Sequence, residues 1–269
     1  MFSTLKDLEE KGYAVVKGVL SEEKVQTASK LFYEWINDVE NTVDKKMVSP
    51  DNTFYGMIKE GHQKHSWFIK TDPDVQAVFK KLWNTDDLVT GFDGTCWIPR
   101  SYNAIDTCWT HTDQAAAKKG LHCVQGFVSL TNNVDRSLVV YEGSHLLHET
   151  YMKDRGLTGA RNWRLIDPEY LKELKRVVVK VNAGDMVLWD SRTFHQSQYG
   201  TNEERLVQYV CFLPRNHEGN TPGQQRQRLK YFKNRRTTTH WPYPLCVNKK
   251  EAFADADLSE YEERIKCII

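Results

Sequence analysis

Apolar residues recur every three or four positions in two segments near the start of the chain, as they do in amphipathic helices. One predicted helix follows the cap residue Ser21 and carries seven apolar side chains on one face: Val25, Ala28, Leu31, Phe32, Trp35, Ile36 and Val39. A second predicted helix covers residues 74–83. A short helix is also predicted at residues 3–10, with Ser3 as its N-cap and Gly12 just past its end.

Less regular patterns surround these helices. A strand is predicted over the run YAVVKGV, which begins at Tyr13. The segment 49–68, between the two longer helices, has no clear period and contains His62 and His65. This segment could form a lid over a site, and a surface loop is the preferred interpretation.

From about residue 94 the pattern changes to short runs of β-branched and aromatic residues separated by turn residues. Five such runs are LHCVQGFVSLT, SLVVYEG, RVVVKVNAGD, MVLWDSRTFH and RLVQYVCFLP. Several short strands with polar turns predict an antiparallel sandwich or barrel. A helical insertion is expected at about 146–175, where DPEYLKELK has a clear helix start.

Composition narrows the class of protein without identifying it. The 269 residues are 40% hydrophobic and 27% charged. The net charge of +1 argues against a protein whose overall positive potential attracts nucleic acid or membranes. The chain has no apolar run of membrane-spanning length and no leader-like start. Its six cysteines are scattered without a C-x-x-C pair, which favours reduced thiols in a cytoplasmic protein.

The candidate chemistry begins at His111 and Asp113. Residues i and i+2 of a β-strand point to the same face, so these two side chains project together if the segment is extended. A third ligand is available in His195, 84 residues further along the chain and at the end of another predicted strand. Two histidines and one carboxylate form the facial triad that holds ferrous iron and leaves coordination positions open.

Two further residues lie at spacings that suit the same cavity. Ser197 is two residues after His195 and shares its strand face. Arg205 begins the next apolar strand, and an antiparallel arrangement would return its guanidinium to the site. Because arginine can hold a carboxylate through two parallel hydrogen bonds, a cation near an open iron site suits a dicarboxylate co-substrate.

Four phrases, WTHTDQ, SLVVYEGSH, AGDMVLWDSRTFHQS and ERLVQYVCFLPR, resemble the phytanoyl-CoA dioxygenase family of iron(II)/2-oxoglutarate oxygenases. The opening LEEKGYAVVKGVLSEEKVQ is similar to the usual beginning of that family, so the resemblance covers about residues 5–215. It implies a mainly β fold with flanking helices, the double-stranded β-helix or cupin-like jelly roll. It also implies one oxygenase domain over 1–269, with N-terminal helices at about 1–93, a jelly-roll core at about 94–215 and a basic segment and tail at 216–269.

The resemblance further implies the site and its cofactors. His111, Asp113 and His195 would be the catalytic iron(II) ligands, Arg205 would bind the distal carboxylate of 2-oxoglutarate, and Ser197 would assist it. Molecular oxygen would be the oxidant and ascorbate an auxiliary reductant. The expected reaction hydroxylates an unactivated C–H bond of a small organic substrate and releases succinate and CO2. Halogenating relatives replace the metal carboxylate with a small residue, so Asp113 favours hydroxylation, desaturation or cyclisation.

The chain departs from the family pattern at several positions. It has Asp135-Arg136-Ser137-Leu138 and Glu142-Gly143-Ser144-His145 where members usually carry a glycine-rich turn and a proline. Gln125 stands where some members place a tryptophan near the co-substrate, and we assign it to co-substrate binding. Trp109 and Gln114 flank the H-x-D pair and are candidates for the substrate pocket.

Two alternative functions remain open. A jelly roll could bind a metal or ligand without turnover, although the triad together with Arg205 counts against this. An oxygenase acting on nucleic acid could use the segment 215–236, which holds seven lysines and arginines against one acid. A solvated helix face balanced by the acidic tail FADADLSEYEER is the preferred interpretation of that segment, so a nucleic-acid partner is not expected. The sequence leaves the substrate and the oligomeric state open.

Overall fold

Two facing antiparallel sheets form the centre of the protein, in a computed structural model that describes residues 2–42, 56–250 and 253–269. The strands are β1 Tyr13–Val16, β2 Gly56–Ile58, β3 Leu88–Thr90, β4 Thr95–Ile98, β5 His111–Thr112, β6 Val124–Ser129, β7 Leu138–Tyr141, β8 Arg164–Leu165, β9 Arg176–Val178, β10 Met186–Asp190, β11 His195–Ser197, β12 Arg205–Val210, β13 Phe212–Pro214, β14 Arg236–Thr238 and β15 Val247–Lys250. The helices are α1 Phe2–Lys11, α2 Glu22–Thr42, α3 Lys64–Lys70, α4 Pro73–Trp83, α5 Ser144–Asp154, α6 Pro168–Leu171, α7 Pro222–Lys233 and α8 Glu262–Lys266, the last preceded by a short 3-10 turn, Ser259–Tyr261. None of these helices is long and apolar enough to cross a membrane.

The larger sheet has six strands in the order β1-β10-β6-β12-β4-β2. The smaller sheet has five in the order β8-β5-β11-β7-β9. Strands β3 and β13 form one separate pair, and β14 and β15 form another. Every pairing is antiparallel, and neighbours in a sheet are distant in the chain, as in the predicted jelly roll.

Alternation along the strands of the larger sheet separates two cores. On β12, Leu206 and Val210 face a cluster that includes the buried faces of α2, α3 and α4. Val207 and Tyr209 face the opposite way, into the cluster between the two sheets. Because successive strand residues point to opposite faces, one strand can pack on helices and also line the interior. Arg205 has the same parity as Val207 and therefore also points between the sheets.

Local capping explains where the predicted helices begin. The Ser21 hydroxyl accepts a hydrogen bond from the Lys24 amide at 3.3 Å, as predicted for α2. Helix α4 starts at Pro73 because the Asp72 carboxylate caps it, accepting from the Asp74 amide at 2.9 Å, one residue earlier than predicted. Helix α1 begins at Phe2, so Ser3 is inside the helix and is not its N-cap.

A glycine turn joins β9 to β10 at the predicted Asn-Ala-Gly-Asp sequence. Gly184 has φ +91°, and a Cβ at this position would lie 2.5 Å from the Leu20 carbonyl oxygen. Leu20 also hydrogen-bonds to the turn, since its amide donates to the Gly184 carbonyl oxygen at 3.0 Å. Only glycine combines this backbone conformation with so close an approach.

The early irregular segment is not the surface loop that the sequence predicted. Residues 49–55 lie outside the described part of the chain, but His62 and His65 are each only 1% exposed. His65 lies against Glu60, with Nε2 and Oε1 3.2 Å apart, inside a buried polar cluster. Strands β1 and β2 also join the larger sheet, so the sheets recruit residues from before position 94.

Candidate metal centre and cavity

Strand pairing brings the two predicted histidine ligands side by side. Residue His195 on β11 is the register partner of His111 on β5, and their ring centroids are 4.4 Å apart. Asp113 follows β5, where its amide donates to the Ser191 carbonyl at 3.0 Å. The arrangement therefore depends on an antiparallel pair formed between segments more than 80 positions apart in sequence.

The three side chains meet at one point. Asp113 Oδ1 lies 3.7 Å from His111 Nε2, and Asp113 Oδ2 lies 3.5 Å from His195 Nε2. Possible ligand atoms from all three residues fall within 4.8 Å of one another, and no other such group occurs among residues 2–42, 56–250 and 253–269. All three residues are buried.

Hydrogen bonds orient both imidazole rings. His195 Nδ1 donates to the Thr193 carbonyl at 2.9 Å, and His111 Nδ1 donates to the Trp109 carbonyl at 3.3 Å. Each bond uses a proton on Nδ1 and directs Nε2 towards the aspartate, the orientation in which Nε2 can bind a metal. The donor set, two imidazole nitrogens and a carboxylate, matches the two-His-one-carboxylate preference of non-haem iron(II).

The electrostatics keep these groups in the forms that bind a metal. Burial, reinforced by the charge of His195, lowers the pKa of His111 to about 4. Burial by itself would raise the pKa of Asp113, but the neighbouring His111 and His195 outweigh it and hold that pKa below its ordinary value. A neutral His111 and an ionised Asp113 at neutral pH are what metal coordination requires.

Gln125 supports the carboxylate from the larger sheet. Its Nε2 donates to Asp113 Oδ2 at 3.0 Å, while its own Oε1 is buried without a hydrogen-bond partner. The side chain thus orients Asp113 and also presents a free acceptor to the cavity it lines. Its predicted contact with a co-substrate stays a prediction, and its contact with Asp113 was not foreseen from the sequence.

Arg205 and Ser197 meet across the space between the sheets. The guanidinium is 1% exposed, and its Nη1 donates to Ser197 Oγ at 2.9 Å. Its Nη2 has no hydrogen-bond partner, and no carboxylate of the described residues lies within ion-pair distance of it. Burying a guanidinium with an unpartnered N–H costs free energy unless an anion binds to it.

Tyr209 also belongs to this group, although the sequence reasoning missed it. Its hydroxyl interacts with Ser197, and burial raises its pKa above the ordinary value, so it stays a neutral hydrogen-bonding group. The signal was available in the strand period, because Tyr209 stands four residues after Arg205 and shares its face.

A cavity of about 690 Å³ connects these groups to the surface. The residues that line it include the three predicted ligands, Gln125, Ser197 and Tyr209. Four tryptophans contribute to the walls, namely Trp109, Trp163, Trp189 and Trp241. A mainly aromatic cavity with a few converging polar groups is typical of a small-molecule site.

Trp109 and Trp163, two of the tryptophans that line the cavity, both contact the ring of His111. Trp109 stacks on the imidazole, with ring centroids 5.1 Å apart and an interplanar angle of 18°. The ring centroid of Trp163 lies 5.6 Å from that of the imidazole, with an interplanar angle of 32°. Each of these tryptophans is 39% exposed. The predicted place of Trp109 at the cavity therefore agrees with the structure, whereas Trp163 lies in the insertion and had no pattern that marked it.

The structure contradicts the pocket assignment of Gln114. Its side chain is fully buried and does not line the cavity. The amide donates to the Gly120 carbonyl at 2.7 Å and accepts from Ser191 Oγ at 3.0 Å. Gln114 therefore braces the loop after β5, because three of its polar contacts are internal to that loop or to the turn beside it.

The basic segment 215–236 is less free than its composition suggested. Arg228 on α7 is fully buried, and it donates to Asn220 Oδ1 at 3.0 Å and to the Pro242 carbonyl at 2.7 Å. Arg215 pairs with Asp87 and donates to the Cys267 carbonyl. The prediction of a solvated face is thus wrong for Arg228, while the predicted balance by the acidic tail is seen in the ion pair of Arg235 with Asp255.

Comparisons with known proteins agree with this architecture. Residues 8–205 match the profile described as phytanoyl-CoA dioxygenase (PhyH). The chain is 29% identical over 233 residues to Ava biosynthesis cluster protein O of Aspergillus versicolor, which covers 76% of this chain and 75% of that protein.

Among solved structures, EctD from S. alaskensis with 2-oxoglutarate and 5-hydroxyectoine is similar with a TM-score of 0.60, at 16% identity over 80% of this chain and 76% of that chain. The non-haem, α-ketoglutarate-dependent carbocyclase SnoK from nogalamycin biosynthesis is similar with a TM-score of 0.55, at 18% identity over 80% and 84% of the two chains. At these identities the likeness concerns the fold, which is the jelly roll.

Proposed function

The chain belongs to the phytanoyl-CoA dioxygenase family, and on that premise we propose that it is an iron(II)- and 2-oxoglutarate-dependent oxygenase that hydroxylates an unactivated C–H bond of a small organic molecule. One observation carries the proposal. Two orientated imidazoles and a carboxylate converge in a cavity that Ser197 also lines, and Ser197 accepts a hydrogen bond from the buried Arg205, whose Nη2 has no partner. The first group suits a metal and the second suits a dicarboxylate.

The residues present fit iron(II). His111, Asp113 and His195 would hold it, because both Nδ1 atoms hydrogen-bond to backbone carbonyls and both Nε2 atoms face the Asp113 carboxylate. Iron(II) bound there with 2-oxoglutarate would activate molecular oxygen, which is the oxidant for both organic molecules, and the co-substrate would leave as succinate and CO2. The contribution of the protein is to hold the ligands, exclude water and position the two organic molecules.

Arg205 and Ser197 would bind the distal carboxylate of 2-oxoglutarate. The free Nη2 of the guanidinium and the Ser197 hydroxyl provide donors in a buried region, where charge-assisted hydrogen bonds are strongest. Tyr209, whose hydroxyl stays neutral, lines the cavity and interacts with Ser197. The carboxylate would in turn satisfy the guanidinium that the protein leaves without an anion.

The walls of the cavity would shield the reacting centre. The partly exposed Trp109 and Trp163 both contact the ring of His111, and the buried Trp189 lies 5.4 Å from the ring of His195. Aromatic surfaces exclude water and contact an apolar substrate without specifying it through hydrogen bonds. Gln125 would keep Asp113 in the orientation that leaves an oxygen for the metal.

Succinate production tests the proposal. Purified protein with iron(II), ascorbate and 2-oxoglutarate should form succinate slowly even without a prime substrate. The anaerobic complex of protein, iron(II) and 2-oxoglutarate should show a visible metal-to-ligand charge-transfer band. His195→Ala should remove both signals, whereas the same change at the exposed His122, His122→Ala, should remove neither.

The alternative of a binding protein without turnover makes a different prediction. Such a protein would bind a divalent metal at the same three residues but would give no succinate above the rate of iron(II) and ascorbate in buffer. If folded wild-type protein gives neither succinate nor the charge-transfer band, the oxygenase proposal is wrong.

A further inference from the structure

One charged group in the cavity has no role in the proposed oxygenase machinery. His240 lines the cavity with 19% of its side chain exposed, and its Nδ1 forms a short hydrogen bond with the buried carboxylate of Asp93. The residue lies beyond the segment that matches the family profile, which ends at residue 205. The family profile therefore does not describe this residue.

The surroundings of His240 keep it rigid and direct it into the cavity. Its ring centroid is 5.0 Å from that of Tyr209 and 6.2 Å from that of Trp189, two residues that also line the cavity. Asp93 is 2% exposed, and its second oxygen accepts from the Gly94 amide at 3.0 Å. With Nδ1 committed to Asp93, Nε2 makes no hydrogen bond to any of the described residues and is the atom left for a ligand.

His240 carries a positive charge at neutral pH. Burial by itself would lower its pKa, but the carboxylate of Asp93 outweighs this and raises it to about 9. The more distant Asp113 acts in the same direction. Nε2 is consequently a charged N–H donor, a group that recognises an anionic oxygen and repels a metal ion.

The charges of the cavity wall point to the same ligand. Three cationic side chains line it, Lys59, Arg161 and His240, and Asp113 is the one carboxylate among the described lining residues. Metal binding would use Asp113, which leaves the remaining wall cationic and aromatic. A substrate with an apolar body and an anionic group is complementary to such a wall.

We propose that the His240–Asp93 pair is a subsite for a carboxylate of the prime substrate, with His240 Nε2 as the donor and Asp93 as the residue that positions and charges it. The inference rests on the proposed function, which assigns the distal carboxylate of 2-oxoglutarate to Arg205 and Ser197 and not to His240. A carboxylate at His240 then belongs to the second organic molecule, and the substrate class is an apolar, planar or compact carboxylic acid bound against the tryptophans.

A matched pair of probes tests the subsite. We would use 2-naphthoate and its neutral isostere 2-naphthamide, and measure binding by calorimetry to the anaerobic iron(II) protein saturated with 2-oxoglutarate. Wild type should bind naphthoate about tenfold to a hundredfold more tightly than naphthamide, the range of one charge-assisted hydrogen bond. His240→Gln, which retains a neutral donor, should reduce the preference to less than threefold.

A second variant keeps the test valid if His240→Gln does not fold. Asp93→Asn retains the shape of the partner but removes its charge, so the pKa of His240, followed by NMR of its ring protons, should fall and the naphthoate preference should fall with it. His122→Gln is the matched control, because His122 is exposed and outside the cavity, and its preference should equal that of wild type.

The outcomes separate the two sources of carboxylate. If His240→Gln weakens 2-oxoglutarate tenfold or more and leaves the probe preference unchanged, the carboxylate at His240 is that of the co-substrate and the proposal is overturned. Equal binding of the two probes by wild type, or absence of binding by both, also overturns it. Failure of the oxygenase function is visible separately, because wild type would then give no succinate even if the probe preference is present.

Discussion

Replacement of Arg205 by methionine should weaken 2-oxoglutarate binding at least 30-fold without destabilising the ligand-free protein. In the structure the guanidinium is fully buried, holds one hydrogen bond to Ser197 Oγ at 2.9 Å, and leaves Nη2 unpartnered. Its nearest other polar neighbour is Cys96 Sγ at 3.8 Å, a weak acceptor. Methionine has a similar length and needs no anion, so the Arg205→Met variant should lose little free energy of unfolding.

The magnitude follows from the charge of the missing partner. Removing one member of a buried, hydrogen-bonded charge pair costs about 2–5 kcal/mol. The dissociation constant of 2-oxoglutarate should therefore rise about 30-fold to a few thousandfold, at about 1.4 kcal/mol per factor of ten. Arg205→Lys should give an intermediate loss, because lysine keeps the charge but lacks the planar fork.

Thermal unfolding is the assay, with manganese(II) as a redox-stable substitute for iron. A ligand at a hundred times its dissociation constant stabilises a protein by about 2.7 kcal/mol, or roughly 5–10 °C for a chain of this size. Wild type should show this shift with 2-oxoglutarate and manganese(II), and Arg205→Met should show at most about a third of it at the same ligand concentration. Its unfolding temperature without ligand should equal or exceed that of wild type.

Two results would refute the reasoning. If Arg205→Met retains the full 2-oxoglutarate shift, the arginine does not bind the co-substrate. If the ligand-free variant unfolds well below wild type, the guanidinium is a structural group that already has adequate partners, and its free Nη2 carries no functional information.

Three further predictions follow from single contacts. Gln125→Leu should weaken manganese(II) binding by about 10–100-fold in a fluorescence-quenching titration, because the variant loses the 3.0 Å hydrogen bond to Asp113; an unchanged affinity would show that the carboxylate needs no support. Burial lowers the pKa of His62 from 6.5 to about 3, so the unfolded state binds more protons and stability should fall as pH falls from 6.5 towards 3, by up to about 1.4 kcal/mol per pH unit. Urea unfolding should show this slope in wild type and a smaller one in His62→Gln. Arg228→Met should lower the free energy of unfolding by about 1–3 kcal/mol, because the variant loses two hydrogen bonds. Wild type and this variant should bind a single-stranded oligonucleotide equally weakly at 150 mM salt.

Much of the fold and part of the site could be predicted from the order of residues along the chain. The helical periods, the strand alternation and the glycine turn at Gly184 are local properties, because each depends on neighbours a few positions away. His111 and Asp113 share a strand face for the same reason, and Ser197 follows His195 at the same interval. These short-range relations, together with the family phrases around them, were sufficient to identify the candidate ligands and Arg205.

The remaining features depend on contacts between distant segments. The sequence assigned both Gln114 and Gln125 to the site, yet the first stabilises a loop and the second donates a hydrogen bond to Asp113. Arg228 belongs to a strongly basic run, yet it is buried because Asn220 and the Pro242 carbonyl satisfy it. No local pattern distinguishes these cases, since the difference lies in which segment packs against each side chain.

His240 shows the same limit most clearly. Its partner Asp93 is 147 positions away, and the segment that carries it has no period from which a direction could be inferred. Periodicity assigns a side chain to a face of its own element, because backbone geometry repeats along the chain. Whether that face meets solvent, a core or a cavity is set by long-range packing, and so the charge, the pKa and the proposed role of His240 exist only in the folded protein.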